Sequence, residues 1–231
     1  IDLGKEFRGR NIPIDVMIID MDWHETWQRS SRTHRRDEFG QSIGWTGYSW
    51  NRDLFPDTKG FLAELHDMGF KTALNLHPAS GISVREDSYE DFVADYLSRT
   101  DDYDGPEGYI YKGGEKITDK RTAVKGYRAT VPFRMSQQEW ADAYFNSVIL
   151  PLEAEGIDFW WLDWQQWKLS KYVDNLSNTF WLNYTFFNDK VRRNRGKSAE
   201  ESERPMTYHR WGGLGSHRYQ LGFSGDTHIL W

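Results

Sequence analysis

The sequence predicts an α/β fold: a parallel sheet organised as part of a TIM (β/α)8 barrel. Three observations carry this expectation. The run Gly156-Ile-Asp-Phe-Trp-Trp-Leu-Asp163 places β-branched and aromatic residues between a glycine and a carboxylate, which reads as a strand buried on both faces. Similar short apolar runs alternate with segments of helical period, the pattern of successive βα units. Several runs end in an acid or a base, and barrels of this type carry their chemistry at the C-terminal strand ends. About five such strands are expected where a closed barrel has about eight. Residues 1–231 are therefore expected to be a single segment of a longer chain.

Taken in order, Gly4 to Asn11 reads as the tail of a helix or loop, and Ile14-Asp-Val-Met-Ile-Ile-Asp20 after Pro13 as a buried strand. Residues 25–50 form a long polar and aromatic loop. A helix over about 58–68 has Phe61, Leu62 and Leu65 on one face and stops at Gly69. The strand Lys71-Thr-Ala-Leu-Asn-Leu-His-Pro78 follows, then a helix over about 87–98. Residues 100–131 lack a clear period and are expected to be an insertion, partly hairpin. Ser136-Gln-Gln-Glu139 reads as a capping box opening a helix to about 155, with Pro151 as a kink. After the strand at 157–163 comes an aromatic amphipathic helix over 177–192. The strand 205–210 and a final one running into Gly222-Phe-Ser-Gly-Asp226 complete the chain.

The net charge of −6 gives no reason to expect nucleic acid or an anionic membrane surface as partner. No run of about 18 apolar residues offers a transmembrane span. Cysteine is absent, which excludes disulfides, a thiol nucleophile and thiolate metal sites. His209 and His217 lack a third ligand at sensible spacing, so no metal is expected, and no cofactor either. Asn175-Leu-Ser177 and Asn183-Tyr-Thr185 match glycosylation acceptors, a pattern common by chance.

The chemistry concentrates at strand ends: Asp20 with Asp22, His77, Asp163 and Asp226, joined by Arg210. In a parallel barrel these ends converge on one rim. A single Asp there is more often a cap or turn residue; several together, each beside an aromatic, point further. Asp163 is expected to be boxed in by Trp160, Trp161, Trp164 and Trp167. Indole rings around a carboxylate suit a sugar, whose C–H faces stack on aromatics while its hydroxyls need polar groups. Trp45 and Phe223 are further candidates for such contacts.

With these residues in view, the sequence resembles glycoside hydrolase family 31. The resemblance rests on Ile14-Asp-Val-Met-Ile-Ile-Asp-Met-Asp22, on Gly156-Ile-Asp-Phe-Trp-Trp-Leu-Asp163, and on Arg210 followed by Gly215-Ser-His-Arg-Tyr219 and Phe223-Ser-Gly-Asp226. It covers nearly the whole chain, from about the second barrel strand to the sixth. It implies retaining hydrolysis of an α-glycoside, with Asp163 as nucleophile and Asp226 as acid/base. Asp20 would bind hydroxyls of the sugar being cleaved, and Arg210, sixteen residues before Asp226, would sit near nucleophile and sugar. The implied site is thus Asp163 and Asp226, with substrate contacts from Asp20, Asp22, Trp45, His77, Trp161, Trp164, Arg210 and Phe223.

Several positions depart from the family pattern. Trp164-Gln165-Gln166 stands where many members have Met-Asn-Glu, His77-Pro78 where many α-glucosidases have Asp-Pro, and Phe223 where a Trp is frequent. A His used by many members would lie beyond Trp231. These departures bear on the sugar more than on the mechanism. The expected substrate is an α-glucoside or related oligosaccharide. The alternatives are an α-N-acetylgalactosaminidase, α-xylosidase, sulfoquinovosidase or transglycosylase and, from another class, a non-catalytic carbohydrate-binding subunit on the same barrel.

Overall fold

The structure, a computed structural model, describes residues 1–26, 44–83, 85–101, 130–163, 176–210 and 213–228. Helix α1 (Asp2–Gly9) precedes strand β1 (Val16–Ile19), helix α2 (Thr58–Asp67), strand β2 (Lys71–Leu76), the short strand β3 (Ile82–Ser83) and helix α3 (Tyr89–Arg99). Strand β4 (Thr130–Val131), helices α4 (Gln138–Tyr144) and α5 (Leu150–Glu153), and strand β5 (Phe159–Leu162) follow. Helix α6 (Asn178–Arg193) and strands β6 (Tyr208–Arg210) and β7 (Leu221–Phe223) complete the described elements.

Strands β1, β2, β5, β6 and β7 form one sheet in that order, each parallel to its neighbours. This is the expected partial barrel wall, with helices joining successive parallel strands. Most of the expected 100–131 insertion lies outside the described residues. Its far end, β4, pairs antiparallel with β3, which lies before α3 in the chain.

Local chemistry sets the element ends. Asp57 caps α2 by accepting from the Gly60 N–H, and the chain leaves that helix through Gly69 at φ 79°. Ser177 caps α6 through the Thr179 N–H. Two expectations shift. Helix α4 starts at Gln138, with Gln137 rather than Ser136 at its N-cap. Ahead of Pro151, the chain makes a π turn over Phe145–Ile149, in which the Leu150 N–H donates to the Phe145 carbonyl. The local i→i+5 bonding lets the chain continue past a residue with no N–H of its own.

Period-2 alternation sorts the two faces of the sheet. Leu74, Leu76, Trp160 and Leu162 turn outward into a core with Leu62, Trp140, Val148 and Leu182 from the surrounding helices. Each such side chain contributes roughly 1.5–3 kcal/mol by burial. Trp160 therefore does not box in Asp163: its indole packs beside Trp23 and donates to Glu153 Oε1. Asn183 is also buried, donating to the Arg210 carbonyl, so the second glycosylation pattern is a packing residue. The opposite, concave face carries Asn75, Trp161, Tyr208 and the strand-end groups.

Candidate active site

Sheet register assembles the site before any side chain is considered. Leu76 pairs with Leu162, Leu162 with His209, and Arg210 with Phe223. The residues that follow Leu76 and Leu162, His77 and Asp163, thus fall in one row with Arg210 and Phe223 across four strands. The Asp163 N–H continues the ladder onto the Leu76 carbonyl at 3.0 Å. One row deeper, Asn75 pairs with Trp161, Trp161 with Tyr208, and Tyr208 with Leu221. Residues two apart share a face, so each strand sends one member of each row inward.

Asp163 is the hub. Its Oδ1 accepts from Arg210 Nε at 3.0 Å and Nη2 at 2.8 Å, while its Oδ2 accepts from Asn75 Nδ2 at 3.1 Å. His77 Nε2 lies 3.2 Å from the same Oδ2. Burial alone would raise this carboxyl group. The hydrogen bonds from His77, Asn75 and Arg210 outweigh it and bring the pKa down to about 2. Asp163 is an anion at any physiological pH.

Arg210 also reaches the second carboxylate: its Nη2 lies 3.6 Å from Asp226 Oδ2. One nitrogen thus touches both acids, and their nearest oxygens can be no further apart than the sum of 2.8 and 3.6 Å. The two acids differ in setting. The Asp163 side chain is 9% exposed and that of Asp226 86%. The Ser224-Gly225-Asp226 turn depends on its glycine. Gly225 has φ 87°, and a Cβ there would stand 2.5 Å from Arg210 Nη1. Only glycine meets both demands.

An aromatic wall borders the acids. Trp161 stacks on Tyr208 with centroids 5.5 Å apart and meets Phe223 edge-on at 5.0 Å; the Arg210 guanidinium lies 5.0 Å from the Phe223 ring. Tyr208 was not among the residues singled out from the sequence. Neither was Asn75 placed there, although both lie two residues before a residue that was, His77 or Arg210, and so share its face. Burial, and secondarily the Asp163 charge, raise the Tyr208 hydroxyl above its ordinary pKa.

Trp45 arrives from a separate segment. Its ring meets His77 edge-on at 5.5 Å, and the Thr46 hydroxyl donates to the His77 carbonyl. Gly47 lets this segment pass the His24 ring, which a Cβ would contact at 2.3 Å. Buried Glu86 then latches the segment by accepting from the Tyr48 N–H at 2.9 Å and the Ser49 hydroxyl at 2.8 Å.

Asp20 and Asp22 follow β1 at the same end of the sheet, but their side chains are engaged locally. Asp20 accepts from the Met21 N–H, and Asp22 from the Thr26 hydroxyl. Trp164 lies outside the described residues. Among the described residues, no group of three or more His, Asp or Glu is arranged to hold a metal ion, and no helix is long and apolar enough to cross a membrane. A cavity of about 250 Å³ lined in part by Arg52, Arg85 and Glu86 shares no residue with the Asp163 cluster.

The glycosyl hydrolases family 31 TIM-barrel domain matches residues 1–231. An α-xylosidase of Saccharolobus solfataricus is 31% identical over 159 residues, covering 69% of this chain and 15% of that protein. An α-xylosidase of Emericella nidulans is 28% identical over 75 residues, covering 32% of this chain and 8% of that protein. A crystal structure of a family 31 α-xylosidase from a soil metagenome, complexed with xylose, aligns with TM-score 0.49 at 13% identity, covering 84% of this chain and 25% of that one. The chain thus spans only a small part of the relatives it matches.

Proposed function

The chain belongs to glycoside hydrolase family 31, and from that premise we propose that it forms the catalytic barrel region of a retaining α-glycosidase. The observation that carries this reading is the bridging of Asp163 and Asp226 by one Arg210 nitrogen. Retaining pairs stand roughly 5–5.5 Å apart, whereas inverting pairs leave roughly 6.5–9.5 Å for a water molecule. The bound that Arg210 sets on their nearest oxygens is compatible with the retaining spacing.

In this mechanism Asp163, already ionised, attacks the anomeric carbon while Asp226 protonates the leaving oxygen from its exposed position. Water deprotonated by Asp226 then releases the sugar from Asp163. Trp161, Tyr208 and Phe223 offer ring surface to the C–H face of the sugar, and Arg210 keeps the nucleophile charged and aimed. Asp20, Asp22, Trp45 and Trp164 complete the proposed substrate contacts, while His77 acts on the sugar through Asp163.

The departures from the α-glucosidase pattern and the α-xylosidase relatives both bear on the sugar. Xylosides and glucosides differ by the C6 hydroxymethyl group, so hydrolysis of 4-nitrophenyl α-xyloside and α-glucoside should be measured side by side in the full-length protein. A large preference for either identifies the pocket. Asp163→Ala and Asp226→Ala are each expected to lower kcat on the better substrate by roughly 10⁴-fold or more. Activity near wild type in Asp163→Ala would remove the proposal. Binding of the glycosides with no turnover in the wild type would favour a non-catalytic binding subunit.

A further inference from the structure

His77 stands where many α-glucosidases of this family carry an acid, and its surroundings show what the change does. The ring is buried, 3% exposed. Its Nε2 is 3.2 Å from Asp163 Oδ2, whereas its Nδ1 is buried with no hydrogen-bond partner among the described residues. Were the proton on Nδ1, a buried N–H would be unsatisfied and the Nε2 lone pair would face a carboxylate. An imidazolium would leave the same N–H stranded. The hydrogen-bond network therefore assigns the neutral Nε2–H tautomer.

The carboxylate it serves has at least four N–H donors for about four lone-pair positions. An oxygen so occupied cannot bond to carbon until a donor lets go. Oδ1 is held by two N–H groups of one cation at 2.8 and 3.0 Å. Oδ2 is held by two separate neutral groups at 3.1 and 3.2 Å. Charge-assisted bonds are the stronger, so Oδ2 is the oxygen more easily freed. Of the other described neighbours of His77, Asn75 and the Trp45 ring are uncharged, and burial pushes His24 down to about 3.

We propose, building on the glycosidase reading, that His77 is a positioning residue that releases Oδ2 as this oxygen bonds to the sugar and recaptures it as the glycosyl-enzyme breaks down. In the first step the Oδ2–C1 bond forms and the bond from C1 to the leaving oxygen breaks, with that oxygen taking its proton from Asp226. In the second step a water oxygen bonds to C1 and gives its proton to Asp226. The C1–Oδ2 electron pair returns to Asp163, where the His77 N–H meets it. His77 keeps its proton throughout. Its donation stabilises the carboxylate as reactant of the first step and as leaving group of the second, so its loss slows the second step selectively.

The test uses the full-length protein and whichever 4-nitrophenyl α-glycoside the wild type hydrolyses. His77→Phe should lower kcat roughly 10- to 100-fold, the effect of one hydrogen bond to a charged group. KM should fall with it, kcat/KM should change by less than about threefold, and a nitrophenol burst should appear with a sugar-bound enzyme by mass spectrometry. His77→Gln, which keeps an N–H donor, should restore most of kcat. Equal losses in kcat and kcat/KM with no burst would overturn the inference. Nitrogen-15 NMR of the wild-type imidazole gives a second reading that needs no variant to fold. Protonated Nε2 with bare Nδ1 at neutral pH supports the proposal, and either other protonation state overturns it. A wild type without turnover would instead sink the glycosidase reading, and this inference with it.

Discussion

Strand β5 is bracketed by two carboxylates, Asp158 before it and Asp163 after it, and both are held by the same kinds of partner. Asp158 accepts from Lys71 Nζ at 2.7 Å, contacts His66 Nε2 at 2.8 Å, and accepts from the Thr72 N–H at 2.8 Å. Asp163 has Arg210, His77 and Asn75. In both, burial works to raise the carboxyl group and hydrogen bonds more than reverse it. The difference lies in where the partners face. At Asp158 the cation and the imidazole are on the surface, 66% and 36% exposed, and the pair joins β5 to β2. At Asp163 the imidazole is 2% exposed, and the cation extends to a second acid. One end of the strand is a clasp between neighbouring strands. The other holds a charge ready beside an open face.

The largest test of this comparison exchanges each acid for its amide. Asp163→Asn is expected to lower kcat by on the order of 10³-fold or more, and to cost about 1–3 kcal/mol of stability for the charge-assisted bonds it gives up. Asp158→Asn should leave kcat within about threefold and cost about 1–2 kcal/mol of stability, read from denaturant midpoints. A reversed result would show that the two ends have been assigned the wrong way round. The cations come next. Arg210→Met should cost roughly 100-fold in kcat because the buried anion loses its cationic partner. Lys71→Met should change stability by about 0–1 kcal/mol, as for an exposed pair.

Gly225→Ala sharpens the active end. A positive φ and a collision with Arg210 predict about 1–3 kcal/mol of strain, read as lower kcat/KM with the core still folded. The smallest effect is in the pH dependence of unfolding. Asp158 has a folded pKa below its unfolded value of about 3.9. Its contribution is fully present above that value and is lost as pH falls through the folded one. Wild type should therefore lose stability below about pH 4 more steeply than Asp158→Asn. Equal slopes would assign the acid sensitivity to other carboxylates.

Much of the candidate site was legible in the chain. Asp163, Asp226, Arg210 and His77 each terminate an apolar run, and a parallel sheet sends all such ends to one rim. Asn75 and Tyr208 could have been added from the same logic, since they lie two residues before His77 and Arg210. What sequence could not reveal was the wiring. Trp160 adjoins Trp161 but turns outward to Glu153. Asp20 and Asp22 lie near the rim yet bond to their own loop.

The sequence by itself determined the βα alternation, the strand ends that gather the candidate site, and the glycine that the Ser-Gly-Asp turn needs. These are local properties, fixed by periodicity and by the φ each residue tolerates. Only the tertiary structure decided that one Arg210 nitrogen would bridge two acids 63 residues apart in the chain. It also decided that His77 would spend its one donor on Asp163 rather than on solvent. Register and burial are set by contacts between segments distant in the chain, and these select which of several possible hydrogen bonds each side chain makes.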